Sequence, residues 1–319
     1  MRKFKLVLMS LPLALMVSAP AHAGLSFNFT YDETTLSAMG ATNEAAMKAA
    51  NLYVANEYSA LFSNNVTLNI AIGGATGILG NSLFTDSGST NYGVLRTALI
   101  NGASTPASIT ATSLLPVINP ITNGNRFVVA NAEAKALGLL AGNAAGSDGN
   151  FTLGTDVTYT FDAHNRAVVG AYDYFAVAEH EFSELMGRTT QIQVNPADSY
   201  GNMPYDLFSF TAPGVRRLAR DATGVYFSTD NGATVAKAFN PYDVNNNADV
   251  QDWASSSMAD SFDAFANSGT AGVISAVDVT AMNVLGWTSV SAVPEPGNYA
   301  MLLAGLGLLG FMRRKKQAA

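Results

Sequence analysis

Apolar and polar residues alternate along three segments of the chain, and this period of two is typical of strands with one buried face. The segments are residues 25–31, 66–72 and 151–161. Between the first two, the Ala-rich residues 43–62 carry apolar side chains near helical spacing and predict a helix. The chain is therefore expected to open with a strand, a helix and a second strand.

Two further helices are predicted in the second half of the chain, at residues 172–186 and 275–285. In the later one, Ser275 and Asp278 have the spacing of a capping box, and Gly286 follows the final turn. Both ends of that helix are thus marked in the sequence.

The remaining segments are less regular. Residues 73–124 are rich in Gly, Ser, Thr, Asn and Pro and predict loops with one short helix. Residues 127–140 predict a strand followed by an Ala-rich helix, and residues 225–232 predict a strand that enters a tight turn. The chain contains no internal repeat and no linker long enough to require a second domain.

The N-terminus has the three parts of an export signal. It begins with basic residues, continues with an apolar run at residues 6–17 and reaches the small-x-small sequence Ala21-His22-Ala23. The run is too short to span a bilayer permanently. We therefore predict a signal peptide over residues 1–23, handled by the Sec translocon and removed by signal peptidase.

The C-terminus also has three ordered parts. A Val-Pro-Glu-Pro sequence at residues 293–296 precedes an apolar stretch at 299–312 and a basic cluster at 313–316. Residues 293–319 resemble the PEP-CTERM sorting signal, which implies recognition and cleavage by an exosortase during export to the cell surface or extracellular matrix of a Gram-negative bacterium. The alternative is a plain C-terminal membrane anchor.

Composition narrows the classes of partner. The chain has 17 basic and 24 acidic residues and a net charge of −7, and its two ends hold basic clusters, so the mature domain is more acidic still. Such a surface repels phosphate backbones, and we expect no nucleic-acid partner. The chain has no cysteine, which excludes disulfides and thiolate-bound metal.

The best candidate for chemistry is the sequence His180-Glu181-Phe182-Ser183-Glu184 within the predicted helix. Residues four apart lie on one face of a helix, so His180 and Glu184 can reach a single metal ion. Glu181 lies next to them on the helix surface. The alternative interpretation is an acidic, solvated helix face that happens to include a histidine.

The block around this helix resembles a family of exported bacterial metalloproteases with a His-Glu-x-x-Glu helix, many of which carry PEP-CTERM tails. The resemblance extends over blocks that occur in one order, at residues 178–188, 206–216, 226–232, 252–253 and 275–287. The final helix is also similar to the last helix of matrixin-like metzincins.

The resemblance implies an α+β, zincin-like domain over residues 24–292, with a twisted mixed sheet, an active-site helix beneath it and a C-terminal helix. It also implies a zinc-dependent endopeptidase that acts on protein or peptide substrates. His180 and Glu184 would be metal ligands, and Glu181 would be the general base that moves a proton from water to the leaving amine.

The third metal ligand is less clearly marked. Glu184 stands where better-known zincins have their second histidine, and Thr190 stands where a metzincin has its third. After signal removal only His164 and His180 remain, so a three-histidine site is excluded. We predict Asp206, because it precedes an apolar anchor and lies far enough downstream to fold back over the helix. The alternatives are Asp198, Asp221 and His164, or a turn role for Asp206.

Compared with three imidazoles, two carboxylates and one imidazole would place more negative charge on the metal. This would make the metal a poorer Lewis acid, or favour a harder ion than zinc. A catalytically weak or inactive surface or matrix protein on a zincin scaffold is therefore the alternative function.

A second metal site is also considered, because alternating oxygen side chains suit Ca²⁺ at Asp243, Asn245, Asn247 and Asp249. Otherwise this segment is a polar turn, and the remaining alternative for the protein is a calcium-dependent adhesin.

Overall fold

The structure, a computed structural model, describes residues 24–121, 126–194, 201–245, 249–255 and 259–290. The predicted signal peptide and sorting tail lie outside these residues, as do Asp198 and Asn247. Within the described part, no helix is both long enough and apolar enough to cross a membrane.

Strands and helices are interspersed along the described residues. The strands are β1 (Ser26–Tyr31), β2 (Thr67–Ala75), β3 (Gly80–Phe84), β4 (Asp86–Asn91), β5 (Arg126–Ala130), β6 (Gly149–Gly154), β7 (Tyr159–Thr160), β8 (Tyr172–Asp173), β9 (Ser209–Ala212), β10 (Val215–Arg216), β11 (Tyr226–Phe227) and β12 (Lys237–Ala238). The α-helices are α1 (Glu33–Leu36), α2 (Ala41–Leu61), α3 (Tyr92–Gly102), α4 (Pro106–Ser113), α5 (Asn131–Ala136), α6 (Tyr174–Leu185) and α7 (Ala276–Val284).

The main sheet has the strand order β1-β2-β6-β3 and is mixed, because β1, β2 and β6 are parallel whereas β3 runs antiparallel to β6. Alternate residues of β2, including Leu68, Ile70 and Ile72, are buried. This alternation is the pattern that predicted the strand. The predicted opening of strand, helix and strand is confirmed by β1, α2 and β2.

Helix α6 packs against this sheet through Phe182. The Phe182 ring lies 5.9 and 5.6 Å from the rings of Phe27 and Phe29 on β1, and 5.7 Å from that of Phe151 on β6. Helix α2 also contacts α6, where the Tyr58 hydroxyl donates to the Glu179 carbonyl at 2.5 Å. Rigid contacts along its length therefore fix the orientation of α6.

A second, smaller sheet has the order β10-β9-β11-β12. Its aromatic side chains meet Trp253, whose ring lies 5.8 Å from Phe227 and 5.1 Å from Phe239. The Trp253 backbone forms isolated bridges to Phe239 and Asp263. The segment around Trp253 is thereby held beside α6, although it lies far away in the sequence.

The prediction for residues 73–124 is wrong in part, because they contain β3, β4, α3 and α4 rather than loops with one short helix. Strands β3 and β4 have a polar composition and therefore show no apolar alternation. They form by backbone pairing with β6 and β5. The predicted strand at 151–161 is divided into β6 and β7.

The predicted last helix is confirmed by α7, where the Ser275 backbone amide donates to Asp278 Oδ2 at 2.7 Å. The fold is α+β with a mixed sheet.

Candidate functional site

Helix α6 begins and ends at residues suited to those positions. Asp173 caps its N-terminus, where its side chain accepts from the Phe175 amide at 3.0 Å. At the C-terminus Gly187 has φ 111°, a left-handed conformation that favours glycine. A Cβ atom at this position would lie only 2.7 Å from Glu133 Oε2. The sequence thus sets the length of the helix that carries the candidate ligands.

His180 and Glu184 lie together on one face of α6, as their spacing predicts. Nε2 of His180 is 3.5 Å from Oε1 of Glu184. The other ring nitrogen, Nδ1, is 2.9 Å from the Ser261 carbonyl oxygen. A carbonyl can only accept, so Nδ1 carries a hydrogen and Nε2 is the nitrogen directed at the carboxylates.

The third member of this cluster is Asp252. Its Oδ1 lies 3.5 Å from His180 Nε2, and the ligand atoms of His180, Glu184 and Asp252 all lie within 4.8 Å of one another. The Asp252 carbonyl accepts from the Asn240 amide at 2.7 Å, which fixes the backbone at this point. Helix α6 therefore supplies two side chains of the cluster, and a loop beside the second sheet supplies the third.

The structure does not bring Asp206 to this cluster. Asp206 is fully buried in a short 3-10 helix, Pro204–Phe208, and accepts from Thr190 Oγ1 at 2.5 Å and from the Met203 amide at 2.8 Å. Arg217 Nη2 lies 3.4 Å from its Oδ1. These partners already engage both carboxylate oxygens. His164 and Asp221 are also outside the group of three ligand atoms.

Glu181 faces the neighbouring side of α6 and lines a cavity of about 200 Å³ together with His180 and Glu184. The side chain reaches under the edge strand, where a Cβ atom at Gly80 would lie 2.6 Å from Glu181 Oε1. Burial raises the pKa of Glu181 to about 8, and the charge of Glu184 adds to this effect. Glu181 is thus a buried acid next to the cluster, able to hold a proton near neutral pH.

Sequence reasoning missed Arg188, a fully buried side chain that contacts the same cluster. Arg188 Nη1 lies 2.5 Å from Asp252 Oδ1, and Nη2 lies 3.7 Å from Glu184 Oε1. Arg188 Nε donates to Ser183 Oγ at 2.7 Å. Arg188 follows Gly187, beyond the end of α6, so helical spacing gave no signal for this contact.

The charged groups of the cluster shift one another's pKa values. Burial opposes a charged His180, but the carboxylates of Asp252 and Glu184 outweigh it and raise the pKa of His180 to about 10. Burial also acts against the charge of Glu184, yet His180 and Arg188 lower the pKa of Glu184 to about 2. For Asp252, burial dominates and raises its pKa to about 6, although His180 and Arg188 act in the opposite direction.

Further hydrogen bonds orient Glu184. Its Oε2 accepts from Ser82 Oγ at 2.6 Å, and its Oε1 accepts from Gln251 Nε2 at 3.0 Å. Ser82 lies on the edge strand β3, and Gln251 directly precedes Asp252. The sheet, α6 and the Asp252 loop therefore all contribute to the position of one carboxylate.

The spacing of these donors can be tested against a metal ion. Two donors bound tetrahedrally to one Zn²⁺ at its usual bond lengths lie about 3.4 Å apart. His180 Nε2 is 3.5 Å from each carboxylate oxygen. One imidazole nitrogen and two carboxylate oxygens are also a donor set that divalent cations accept. The two separations from His180 and the donor types suit a small divalent cation, but neither spacing nor donor type selects zinc.

The residues considered for Ca²⁺ lie in different surroundings. Asp243 Oδ1 accepts from the backbone and side chain of Asn245 at 2.8 and 3.1 Å, which is a local turn. Asp249 pairs with Arg220 at 3.9 Å and lines the cavity beside the cluster. Calcium binding here stays a prediction.

Comparison with known proteins identifies one segment of the chain. Residues 292–316 match the family model of the PEP-CTERM protein-sorting motif. No curated protein and no solved structure matches the chain significantly. The chain is therefore an exported protein that an exosortase recognises and that its C-terminus anchors transiently. The matched segment lies outside the described residues, which contain the cluster.

Proposed function

We propose that residues 24–292 form a zincin-like, zinc-dependent metalloendopeptidase that hydrolyses peptide bonds outside the cytoplasm. One observation carries the proposal: His180 and Glu184 on one face of α6 meet Asp252 in a buried cluster, with Glu181 beside them in the same cavity. The mixed sheet with an antiparallel edge strand next to α6 supports the zincin-like part of the proposal.

In this proposal His180, Glu184 and Asp252 hold the metal. Asp252 takes the place predicted for Asp206, because Asp252 and not Asp206 brings a ligand atom within 4.8 Å of those of His180 and Glu184. A bound divalent cation would polarise the carbonyl group of the substrate as a Lewis acid. The Ser261 carbonyl keeps the His180 ring in the orientation that presents Nε2 to the metal.

Glu181 is the proposed general base. Burial and the charge of Glu184 raise its pKa to about 8, so without a cation the carboxyl group is mostly protonated at pH 7. A bound divalent cation would favour the carboxylate, which would take a proton from the attacking water and return it to the leaving amine. Its burial against Gly80 limits the motion of the carboxylate. A fixed proton acceptor in a partly closed cavity is what this step requires.

A second candidate function is a non-catalytic surface or matrix protein that keeps the same scaffold. The ion pair between Arg188 and Asp252 favours it, because a guanidinium already compensates carboxylate charge in the cluster. In that case the cluster would serve only to join α6 to the Asp252 loop.

Metal content and proteolysis distinguish the two candidates. The exported protein, equilibrated with Zn²⁺ and desalted, should retain metal in the wild type but not after His180→Ala or Glu184→Ala. Glu181→Gln should retain metal and lose cleavage of casein. Glu33→Gln, an exposed change on α1, is the matched control and should behave as the wild type. Equal metal content in all variants would end the metalloprotease proposal.

A further inference from the structure

Arg188 is held in one position from several sides. Its side chain is fully buried, and its guanidinium carbon lies 4.4 Å from the centre of the Phe262 ring. Arg188 Nε donates to Ser183 Oγ, and Nη2 lies 3.5 Å from the His180 carbonyl oxygen. A guanidinium restrained in this way cannot leave the cluster by a simple rotamer change.

The guanidinium contacts the two oxygen atoms that a metal ion would use. Asp252 Oδ1 is 2.5 Å from Arg188 Nη1 and 3.5 Å from His180 Nε2. Glu184 Oε1 is 3.7 Å from Arg188 Nη2 and 3.5 Å from His180 Nε2. The positive charge of Arg188 therefore lies within the first few ångströms of the candidate metal position.

We propose that Arg188 is a built-in counter-cation, which balances the charges of Glu184 and Asp252 without metal and thereby lowers the affinity of the cluster for divalent cations. The inference rests on the metal-binding part of the proposed function. Without Arg188, two buried carboxylates would have less compensation, and a divalent cation would be the most effective replacement.

Two effects of Arg188 on metal affinity oppose each other. By orienting Asp252, the guanidinium favours binding, and such supporting contacts are typically worth about 10–100-fold in affinity. By its charge, it repels a divalent cation a few ångströms away in a buried site, where electrostatic energies are several times larger than in water. We expect repulsion to dominate, because Ser82 and Gln251 also orient Glu184 and because the Asn240 amide fixes the Asp252 backbone.

The test compares the Zn²⁺ affinity of Arg188→Met, Arg188→Lys and the wild type, measured by competition with a chromophoric chelator on the exported protein. Arg188→Met should bind Zn²⁺ about tenfold more tightly or better. Arg188→Lys keeps the positive charge but not the stacked, forked contacts of the guanidinium, so it should bind Zn²⁺ no more tightly than the wild type. Arg216→Met is the matched control, since Arg216 is also buried and donates to the Leu207 carbonyl away from the cluster.

Each outcome decides the inference. Unchanged or weaker binding by folded Arg188→Met, or equally tightened binding by Arg188→Lys, overturns it. If Arg188→Met is unfolded without metal, Zn²⁺ should restore its circular dichroism at a lower concentration than saturates the wild type, and failure to do so overturns the inference.

The inference and the proposed function can fail separately. Binding by Arg188→Met alone, abolished by adding His180→Ala, would uphold the counter-cation and refute a metalloprotease in the natural protein. A wild type that binds Zn²⁺ and cleaves casein, beside an Arg188→Met variant of equal affinity, would refute only the counter-cation. Absence of Zn²⁺ binding in both proteins refutes both.

Discussion

Trp253 Nε1 donates a hydrogen bond of 2.6 Å to Oδ1 of Asp278, and both side chains are fully buried. Asp278 belongs to α7, whereas Trp253 directly follows Asp252. This bond ties the last helix of the described domain to the loop that completes the candidate metal cluster. The position of Asp252 therefore depends on a helix that contributes no ligand itself.

Trp253→Phe should weaken both folding and metal binding. The change removes one donor from the buried Asp278 carboxyl group, which we expect to lower the free energy of unfolding by about 1–3 kcal/mol. Urea denaturation measures this loss, and chelator competition should show weaker Zn²⁺ binding because the Asp252 loop is less restrained. Trp287→Phe, which removes a 2.8 Å bond to the Met186 carbonyl, is the comparison variant. Weaker Zn²⁺ binding in both variants would argue against a specific role for Trp253.

Asp252→Asn and Asp206→Asn should separate the two candidates for the third ligand. Asp252→Asn is expected to lose most of the bound Zn²⁺, because an amide is a much poorer ligand than a carboxylate. Asp206→Asn should keep the metal and lose stability, because Arg217 then remains buried with a weaker partner. Metal content per folded protein checks both, and the reverse pattern would restore Asp206 as the ligand.

Gly80→Ala should impair catalysis without removing the metal. The added methyl group would lie 2.6 Å from Glu181 Oε1 and 2.7 Å from Val177 Cγ1, so one of these side chains must move. We expect a reduced kcat for peptide cleavage, unchanged Zn²⁺ affinity and a stability loss of about 1–3 kcal/mol. Gly93→Ala meets only an ordinary 3.5 Å contact in α3 and should leave kcat and Zn²⁺ affinity unchanged, with no loss of stability. Full cleavage activity in Gly80→Ala would show that Glu181 needs no such close fit.

Glu133→Gln should alter the pH dependence of stability. Glu133 is fully buried, neither of its carboxylate oxygens has a hydrogen-bond partner, and burial raises its pKa well above the usual value. The folded state therefore binds the proton more tightly than the unfolded state does. Stability falls as the pH rises from the unfolded pKa through the folded one.

We expect the wild type to lose stability relative to Glu133→Gln when the pH is raised from 4 to 8. Urea denaturation at both values measures the difference, and the two proteins should be most alike at the lower pH, where the carboxyl group is protonated in both states. A constant difference across this range would mean that Glu133 does not change its protonation in the way its burial implies.

Local patterns predicted the elements that rest on local interactions. Alternation identified β1 and β2, helical spacing identified α2 and α6, and the capping residues of α7 marked its start. Strand β3 escaped notice, because an edge strand of polar composition is formed by its pairing with β6 and not by a periodic apolar pattern. The structure nevertheless uses β3 to orient Glu184 through Ser82.

The sequence by itself determined the sorting tail, the helix α6 and the common face of His180 and Glu184, because each depends on residues within a few positions of one another. Only the tertiary structure decided that Asp252 and Arg188 complete the cluster and that Asp206 lies outside it. Arg188 and Asp252 are 64 residues apart, and the contact between them exists because Trp253 packs between the second sheet and α7. Periodicity along the chain does not predict such a contact, because the path of the folded backbone determines which distant residues meet.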